Sequence, residues 1–433
     1  MDRLTIAATT SAGLCSGCGV CKGICPKDCI HWELSKGMYL PTIDSTKCIQ
    51  CGLCAEVCSG LGHRYEAKTT ALETITGTFL ECYNSWTRDP ELRHVSASGG
   101  VITSMTQDLL SQGLYGSVFC LNTYDYSSQL CTARFSKEEY LRDSYSRTVP
   151  KSRYLPVSHE EAIRYMKNHR QERIILIGTS CALRGLITAI EKLKLNRDNY
   201  LLIGLFCDSI FNYNITSYLE EQYCPGDHLS ALHFKNKESG GWPGDMKLFP
   251  ANSDSFFVPI KERGRLKEYF LPERCLYCVD KLNVSADLSV GDNYTASHSS
   301  KLGSNSVILR TQRGMEAWQA AQEHLSSHAV GIAEICKAQY LDGRLNNLYF
   351  GLLKAKSSFD LNIGVPVEHS PIDYLPAWRN RLKTLRSGAC YSISPSDLQR
   401  QMQKVHRKKG PIRRLIDRSI SYADRFWNKR KYS

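Results

Sequence analysis

Apolar runs and amphipathic patterns alternate along the middle of the chain, between about residues 79 and 345. The apolar runs are short and rich in Val, Ile, Leu and Phe, as buried strands are, and the stretches between them have helical periodicity. Alternation of this kind predicts an α/β body. The predicted strands are 115–121, 173–178, 200–206 and 307–310, and the predicted helices are 101–112, 181–195 and 313–325.

The segment before this body has a different pattern. Residues 1–66 predict a small α+β, ferredoxin-like domain, in which short strands at 31–34 and 38–43 flank a Lys-Gly turn. Residues 66–78 are polar and rich in Thr, which is typical of a linker.

A repeat of four cysteines dominates this first domain. Each half has the spacing Cys-x2-Cys-x2-Cys-x3-Cys, and the second half is displaced by 33 residues. In bacterial two-cluster ferredoxins three thiolates of such a run surround one [4Fe–4S] cluster, and the fourth reaches the other cluster. The predicted ligands are Cys15, Cys18, Cys21 and Cys58 for one cluster, and Cys48, Cys51, Cys54 and Cys25 for the other.

Zinc is the alternative occupant for these cysteines. Structural zinc takes four ligands, commonly as two Cys-x2-Cys pairs with a longer gap between them. Eight cysteines in two runs fit that arrangement poorly, so the spacing favours iron–sulfur clusters. Cys29 is left over as a bystander, and Ser59 stands where the first half has a proline, which concerns the shape of the loop.

The cysteine content also bears on the cellular compartment. The chain has 19 cysteines among 433 residues, and its first residues lack a basic-then-apolar signal pattern. Cysteines grouped at metal-ligand spacing indicate a reducing compartment, in which thiols remain free to bind metal. The longest apolar run, 201–207, is far shorter than the roughly 20 residues of a membrane span. These features predict a cytoplasmic protein.

Most of the net charge of +12 lies in the C-terminal tail. Residues 400–433 contain twelve Lys and Arg against two Asp, a net charge of +10, which leaves +2 for the first 399 residues. Within the tail, 411–427 predicts a basic amphipathic helix, which suits an anionic membrane surface (the inner face of the membrane) or a protein partner. A surface helix packed on its own domain is the alternative. Residues 346–399 predict an irregular, proline-containing extension, and the body has no nucleic-acid signature.

A second set of cysteines lies in the body. Cys181 falls in a strand-to-helix turn, Cys207 ends an apolar strand, and Cys275 and Cys278 form a Cys-x2-Cys pair. Spacing alone does not group them, and it slightly favours buried thiols with an incidental pair over a further metal site.

Six short stretches of the body form an ordered set of motifs. Each motif is weak evidence for a family, and the set in its order is specific. The motifs include Ser-Ala-Ser-Gly-Gly-Val-Ile-Thr at 96–103, Ile-Gly-Thr-Ser-Cys-Ala-Leu-Arg-Gly-Leu at 177–186 and Arg-Cys-Leu-Tyr-Cys at 274–278, and the others are 151–158, 286–292 and 303–311. In this order the body resembles the beta subunit of coenzyme F420 hydrogenase and of the F420-linked formate dehydrogenase, preceded by a ferredoxin domain. The same family includes chlorophyll-pathway reductases, members linked to polysaccharide synthesis, and many members of unknown substrate.

The resemblance implies both an architecture and cofactors. It implies that 79–160 corresponds to the N-terminal region of the beta subunit, that 161–345 corresponds to its C-terminal region, and that the body binds FAD. It also implies a third [4Fe–4S] cluster, held by Cys181, Cys207, Cys275 and Cys278.

Two departures from the family pattern stand beside these cysteines. Ser180 replaces a usual proline, and Asp208-Ser209 replaces a usual His-Gly. Both departures are compatible with cluster ligation, and they affect the contacts of a substrate or flavin next to it.

Candidate flavin contacts come from two helix starts and a few polar residues. Bare backbone N–H groups at a positive helix end suit a pyrophosphate, although ordinary turn and N-cap residues are the alternative. The two helix starts are Ser98-Gly99-Gly100 and Gly178-Thr179. Lys151, Arg153 and Tyr154 are candidates to position the flavin or substrate, with a solvated loop as the alternative. The other polar candidates, as hydrogen-bonding partners, are Asn283, Asp287 and Asp292. His94 and His159 are interpreted as structural.

Together these features predict an iron–sulfur flavoprotein oxidoreductase. Clusters pass single electrons and a flavin holds one or two, so the pair can couple a one-electron donor such as ferredoxin to an organic substrate. Oxidation or reduction of coenzyme F420 itself is one alternative. A non-catalytic electron-transfer subunit of a larger oxidoreductase is another, and a zinc-bound structural module is a third. The sequence offers no isolated constellation for a catalytic acid.

Overall fold

The structure of the protein is a computed structural model that describes residues 3–61, 65–121, 123, 125–126, 128–146, 149, 151–353 and 400. The predicted amphipathic helix of the tail and most of the extension before it lie outside the described residues. Within the described ranges, no helix has the length and apolarity needed to cross a membrane.

The N-terminal domain contains two short cysteine-bearing helices on either side of a hairpin. The hairpin strands pair in antiparallel register from Ile30↔Ile43 to Ser35↔Met38, which confirms the predicted Lys-Gly turn. The elements are α1 Ala7–Ser11, α2 Val20–Ile24, β1 Ile30–Ser35, β2 Met38–Ile43, α3 Leu53–Glu56 and α4 Ala71–Thr76.

The two cysteine runs of the repeat adopt equivalent turns. Gly19 precedes α2 and Gly52 precedes α3, with φ angles of 74° and 80°. Glycine adopts this left-handed conformation without a steric penalty, so both cysteine loops enter their helices in the same way.

The body contains thirteen strands and ten α-helices among the described residues. The strands are β3 Glu81–Thr87, β4 Ser117–Cys120, β5 Leu130–Cys131, β6 Ala133–Ser136, β7 Val157–Ser158, β8 Ile174–Thr179, β9 Tyr200–Leu205, β10 Leu229–Asn236, β11 Asp245–Pro250, β12 Phe256–Val258, β13 Leu288–Asp292, β14 Asn305–Leu309 and β15 Leu325–Ala329. The helices are α5 Pro90–Val95, α6 Val101–Ser111, α7 Lys137–Asp143, α8 Glu160–Asn168, α9 Ser180–Lys192, α10 Asn214–Tyr223, α11 Ile260–Phe270, α12 Gln312–Ala321, α13 Ile332–Ala338 and α14 Leu345–Leu353.

An eight-stranded mixed sheet forms the centre of the body, in the order β15-β3-β14-β13-β9-β8-β4-β6. Strands β4, β8, β9 and β13 run parallel, and β6 and β14 flank them in antiparallel pairs. The predicted α/β architecture is thereby confirmed. The sheet draws strands from both predicted regions of the body.

Helices cover this sheet on both faces, which explains why its central strands are apolar runs without alternation. Ile175 and Leu201 join the core that includes α6 and α12, whereas Ile174 and Leu202 join the core that includes α8 and α9. The second core also contains Val20 of α2, so the N-terminal domain packs onto the body through buried apolar contacts.

Residues 229–258 form a second, three-stranded sheet in the order β10-β11-β12, which the sequence pattern did not predict. Its strands pack with α10 and α11 in a separate core that includes Leu232, Met246 and Leu266. This sheet places a group of lysines beside the edge of the large sheet.

Two local predictions were wrong. The segment 66–78 is not a bare linker, because Thr70 and Glu73 form a capping box that starts α4 and Ile75 is fully buried. The late helix ends at Ala321 instead of 325, since Leu325 begins β15 and pairs with Thr87.

Candidate functional site

Most candidate residues of the body lie at one edge of the large sheet. Parallel strands end together, so the loops after β8, β9 and β13 meet there, and ligands of open α/β sheets bind at this edge. Cys181 lies in the first turn of α9 just after β8, and Cys207 follows β9 by two residues. The N-terminal domain packs against the same edge.

The structure brings the first predicted cysteine set together. Burial raises the pKa of Cys18 to about 11 and also raises that of Cys21, and neighbouring thiols of the set add to both increases. The Cys58 sulfur lies 3.2 Å from Thr9 Oγ1 and accepts a hydrogen bond from the Gly60 N–H at 3.4 Å. Such N–H and O–H donors favour a thiolate. The set consists of Cys15, Cys18, Cys21 and Cys58.

The second predicted set lines a cavity at the surface, whose wall includes Ile49, a residue that is 58% exposed. Thr5, Ile30 and Ile43 contribute to its wall. The cysteines around it are Cys25, Cys48, Cys51 and Cys54, joined by Cys29.

Cys29 is closer to this second set than its leftover position in the sequence indicated. Its sulfur lies 3.5 Å from that of Cys25, and burial and the Cys25 thiol raise its pKa to about 12. It is thus a buried neighbour of the set.

The body cysteines also meet, although they are far apart in the sequence. Burial raises the pKa of the Cys207 thiol, and the thiols of Cys275, Cys181 and Cys278 raise it further. Thr179 Oγ1 lies 3.2 Å from the Cys181 sulfur. Among the described residues, no three His, Cys, Asp or Glu side chains converge at the distance of ligands to a single metal ion.

The three sets form a continuous series. Cys18 of the first set is close enough to Cys181 of the body set for the two thiols to interact electrostatically. Cys21 interacts in the same way with Cys54 of the second set. The first set therefore lies between the body set and the second set, which borders the open cavity.

One buried guanidinium stands at the junction between the first set and the body set. Arg274, which is 3% exposed, precedes Cys275 in a short 3-10 helix, Glu273–Leu276. Its charge lowers the pKa of Cys15 and Cys58 in the first set and of Cys275 in the body set, against the larger effect of burial. A cation here favours negative charge on both sides of the junction.

Polar contacts fix the N-terminal domain to the body beside Cys18. The backbone N–H of His159 donates to the Cys18 carbonyl at 2.8 Å, and the residue is buried. Glu160 accepts from Lys22 Nζ and from Trp32 Nε1, both at 2.9 Å. The carboxylate thus joins two elements of the domain to α8.

The candidate flavin residues separate into two groups. The first group, Gly178, Thr179 and Asn283, surrounds Cys181: the Asn283 amide donates to the Gly178 carbonyl at 3.0 Å, and its own Oδ1 is buried with no hydrogen-bond partner among the described residues. The residue itself is fully buried, with φ of 57°.

The second group lies around Asp292 at the end of β13. Asp292 forms an ion pair with Lys235, whose ammonium lies 5.8 Å from the centre of the Tyr154 ring. Lys237 donates to the Ser98 carbonyl at 2.6 Å and lies near Lys151. Lys235 and Lys237 were missed in the sequence, since Lys235 lies in β10 of the unpredicted small sheet and Lys237 begins the 3-10 turn that follows β10.

The Ser-Gly-Gly turn has a structural explanation. Ser98 Oγ donates to the Ser304 carbonyl at 2.8 Å, and a Cβ on Gly99 would lie 2.6 Å from Asn305 Oδ1. Gly100 has φ of 78° and caps α6. Packing and backbone conformation therefore account for these residues, which remain next to the Lys237 ammonium.

Asp287 and Asp208 have structural partners. Asp287 precedes β13 at the opposite edge of the sheet and accepts bonds from Arg197 and the Leu202 N–H. Asp208 pairs with Arg344 at 2.9 Å and Lys267 at 3.1 Å, and these cations hold its pKa well below the usual range despite burial.

The fold and the site together define a protein that combines a cysteine-rich ferredoxin-type domain with an α/β redox body. Residues 41–59 match the family model of the 4Fe-4S binding domain, and residues 171–333 match that of the C terminus of the coenzyme F420 hydrogenase/dehydrogenase beta subunit. Over these residues the chain therefore carries a 4Fe-4S binding domain and a region similar to the C terminus of that beta subunit.

Individual relatives share parts of this organisation. The chain is 24% identical over 347 residues to the coenzyme F420-dependent sulfite reductase of Methanocaldococcus jannaschii, over 76% of this chain and 49% of the relative, so it spans about half the relative's length. It is 32% identical over 81 residues to an iron-sulfur subunit of the CoB–CoM heterodisulfide reductase of the same organism, over 16% of this chain and 12% of that one. A chain of the F420-reducing [NiFe] hydrogenase complex from Methanosarcina barkeri is similar with a TM-score of 0.47 and 17% identity, over 64% of this chain and 93% of that chain.

Proposed function

We propose that the protein is an iron–sulfur flavoprotein oxidoreductase that passes electrons between a one-electron donor and an FAD through three [4Fe–4S] clusters. The observation that carries the proposal is the series of three cysteine sets, joined by the Cys18–Cys181 and Cys21–Cys54 neighbours. Each set has the four thiols that a [4Fe–4S] cluster requires.

The residues fit clusters chemically. All proposed ligands are thiols, and a cluster with four thiolates is a buried anion that needs compensating donors and positive charge. Arg274 supplies such charge between two sets, and the Gly60 N–H and Thr9 hydroxyl face the Cys58 sulfur. The second set opens to solvent, so a redox partner such as ferredoxin, or another oxidoreductase subunit, would deliver electrons there.

The edge of the sheet also fits a flavin. The unpartnered Asn283 Oδ1 is a buried acceptor beside the body set, and Lys235 and Lys237 are buried cations beside Asp292. FAD would lie along this edge between Gly178-Thr179 and the Ser98 turn, with Lys151 and Tyr154 bordering it. When bound, FAD would exchange one electron at a time with a cluster and two with an organic substrate.

The organic partner we propose is a deazaflavin, coenzyme F420, or another small substrate. Its support is the match of 171–333 to the coenzyme F420 hydrogenase/dehydrogenase family and the similarity to an F420-dependent sulfite reductase. A second candidate function is a non-catalytic electron-transfer subunit. Its support is the similarity over 81 residues to an iron-sulfur subunit of a CoB–CoM heterodisulfide reductase.

A stopped-flow experiment tests the proposed electron path. The purified full chain is mixed anaerobically with a reduced ferredoxin, and cluster and flavin absorbance are followed separately. The proposal predicts cluster reduction followed by flavin reduction, and loss of only the second phase in Cys275→Ser. Flavin reduction at an unchanged rate in this variant would contradict the path. Flavin reduction without turnover of F420 would favour the subunit function.

A further inference from the structure

An excess of buried positive charge lies beside the end of β13. Lys235 and Lys237 are 5% and 6% exposed, and Lys151 and Arg93 interact electrostatically with Lys237. One carboxylate, Asp292, pairs with Lys235, and Glu238 pairs with Lys247 at 2.5 Å. In the described part of the chain, neither Lys151 nor Lys237 has a carboxylate within ion-pair distance.

Lys237 has spare donor capacity. The Lys237 ammonium donates to the carbonyls of Ser98 and Arg93, which uses two of its three N–H groups. Burial lowers the pKa of Lys237 to about 7, assisted by Lys151 and Arg93, and burial lowers the pKa of Lys151 to about 8. Buried cations without a counterion are costly, and an anionic ligand removes that cost.

Aromatic rings border the cationic group. Tyr154 lies beneath the Lys235 ammonium at 5.8 Å and the Arg263 guanidinium at 5.6 Å from its ring centre. The ring centres of Trp242 and Tyr294 are 5.3 Å apart. The indole N–H of Trp242 is buried without a hydrogen-bond partner among the described residues. Planar surfaces and a free donor beside the lysines suit an organic ligand that carries the anion.

We propose that Lys151 and Lys237 bind a phosphate group of an organic ligand at the carboxyl edge of the sheet. Two unpaired ammonium groups match the charge of a phosphate or pyrophosphate better than that of a single carboxylate, and lysine binds phosphate as a point charge. The phosphate belongs either to the flavin or to a phosphate-bearing substrate. Binding of the flavin phosphate rests on the proposed function, whereas an anion site at the two lysines does not.

Binding measurements on the full chain test this site. Affinities for FAD and for inorganic pyrophosphate are measured by calorimetry, with iron content as the control for folding, in Lys237→Met, Lys151→Met and Lys237→Arg. Exposed Lys261 supplies the matched control, Lys261→Met. We expect both Met variants to weaken anion binding on the order of ten- to a hundredfold, and Lys237→Arg to retain most of it.

The pattern of losses distinguishes the sources. Weaker FAD binding with unchanged iron assigns the phosphate to the flavin. Unchanged FAD content with loss of pyrophosphate binding to the flavin-loaded chain assigns it to a substrate. Pyrophosphate binding in a chain that holds no flavin or iron would sustain the site while refuting the proposed function. Equal affinities in wild type and both Met variants, or no pyrophosphate binding by the wild type, would overturn the proposal.

Discussion

Cys18 of the N-terminal domain lies beside Cys181 of the body, close enough for their thiols to interact although one belongs to a cysteine run and the other to a strand-to-helix turn. The hydrogen bond from the His159 N–H to the Cys18 carbonyl, 2.8 Å long, holds the two domains in register at this point. The proposed electron path crosses the junction at this contact.

The body cysteines are expected to hold iron. Cys181→Ser or Cys275→Ser should lower the iron content by about four atoms per chain and leave the N-terminal clusters intact, because each cluster needs its own four thiolates. Iron and sulfide analysis, with electron paramagnetic resonance of the reduced protein, measures the loss. Cys224→Ser is the matched control, since Cys224 is buried in the core under the small sheet and belongs to no set. Equal iron in all three variants would refute a third cluster.

Glu160 should stabilise the docking of the N-terminal domain. Glu160→Gln removes the charge that Lys22 and Trp32 contact at 2.9 Å, and it is expected to lower the free energy of unfolding by about 1–3 kcal/mol. Denaturant unfolding under anaerobic conditions measures it. Neighbouring Glu161 makes an exposed pair with Arg164, so Glu161→Gln should change stability by less than about 1 kcal/mol. Similar losses in both variants would show that the buried contact has no special role.

Gly185 allows α9 to approach the N-terminal domain. A Cβ there would lie 3.0 Å from Val20 Cγ2 and 3.1 Å from the Val57 carbonyl, so Gly185→Ala should destabilise the protein by about 1–3 kcal/mol and slow transfer between the first cluster and the body. Gly264→Ala in α11 meets no atom within 4 Å and should stabilise by about 0.5–1 kcal/mol through helix propensity. Thermal unfolding of both variants decides whether the close approach matters.

Phosphate binding should weaken as the pH rises through about 7 to 8. Burial lowers the pKa of Lys237 to about 7 and that of Lys151 to about 8, so above these values the free protein must take up protons before it binds an anion. Each required proton reduces the affinity by up to about tenfold per pH unit. Lys235, Arg93 and Asp292 also face Lys237, and their charges do not change in this range.

The same two lysines should make the ligand-free protein more stable as the pH rises, which is opposite to their effect on phosphate affinity. An unfolded lysine has a pKa near 10.4, so between about pH 7 and 10 the unfolded chain binds more protons than the folded chain. The free energy of unfolding contributed by these groups therefore rises with pH in that window. Calorimetric titrations with pyrophosphate at several pH values measure the affinity, and denaturant unfolding of the ligand-free chain over the same pH range measures the stability, each with Lys237→Arg for comparison. A pH-independent affinity would contradict the assignment of these lysines.

Local spacing was sufficient for the features that depend on neighbouring residues. The cysteine repeat and the glycines before Val20 and Leu53 produce two equivalent loops, and the apolar runs at 174–179 and 200–205 became central strands of the sheet. The capping box at Thr70 and Glu73 was also readable from the sequence, but the polar composition around it obscured the short helix α4.

Contacts between distant segments of the chain could not be predicted from the sequence. No spacing connects Arg274 with Cys15, or Lys237 with Ser98, because tertiary packing alone brings them together. The strand β10 with Lys235 and the turn after it with Lys237 have no recognisable sequence motif. Cys29 was set aside as a bystander for the same reason, since only the fold shows its sulfur 3.5 Å from Cys25.

The most direct test of the account is the content of iron, acid-labile sulfide, zinc and flavin per chain after anaerobic purification. The account predicts about twelve irons with equal sulfide, as three [4Fe–4S] clusters require, together with one flavin. About eight irons without flavin would leave the N-terminal clusters in place and remove the third cluster and the flavin chemistry. Zinc without sulfide would contradict the account entirely.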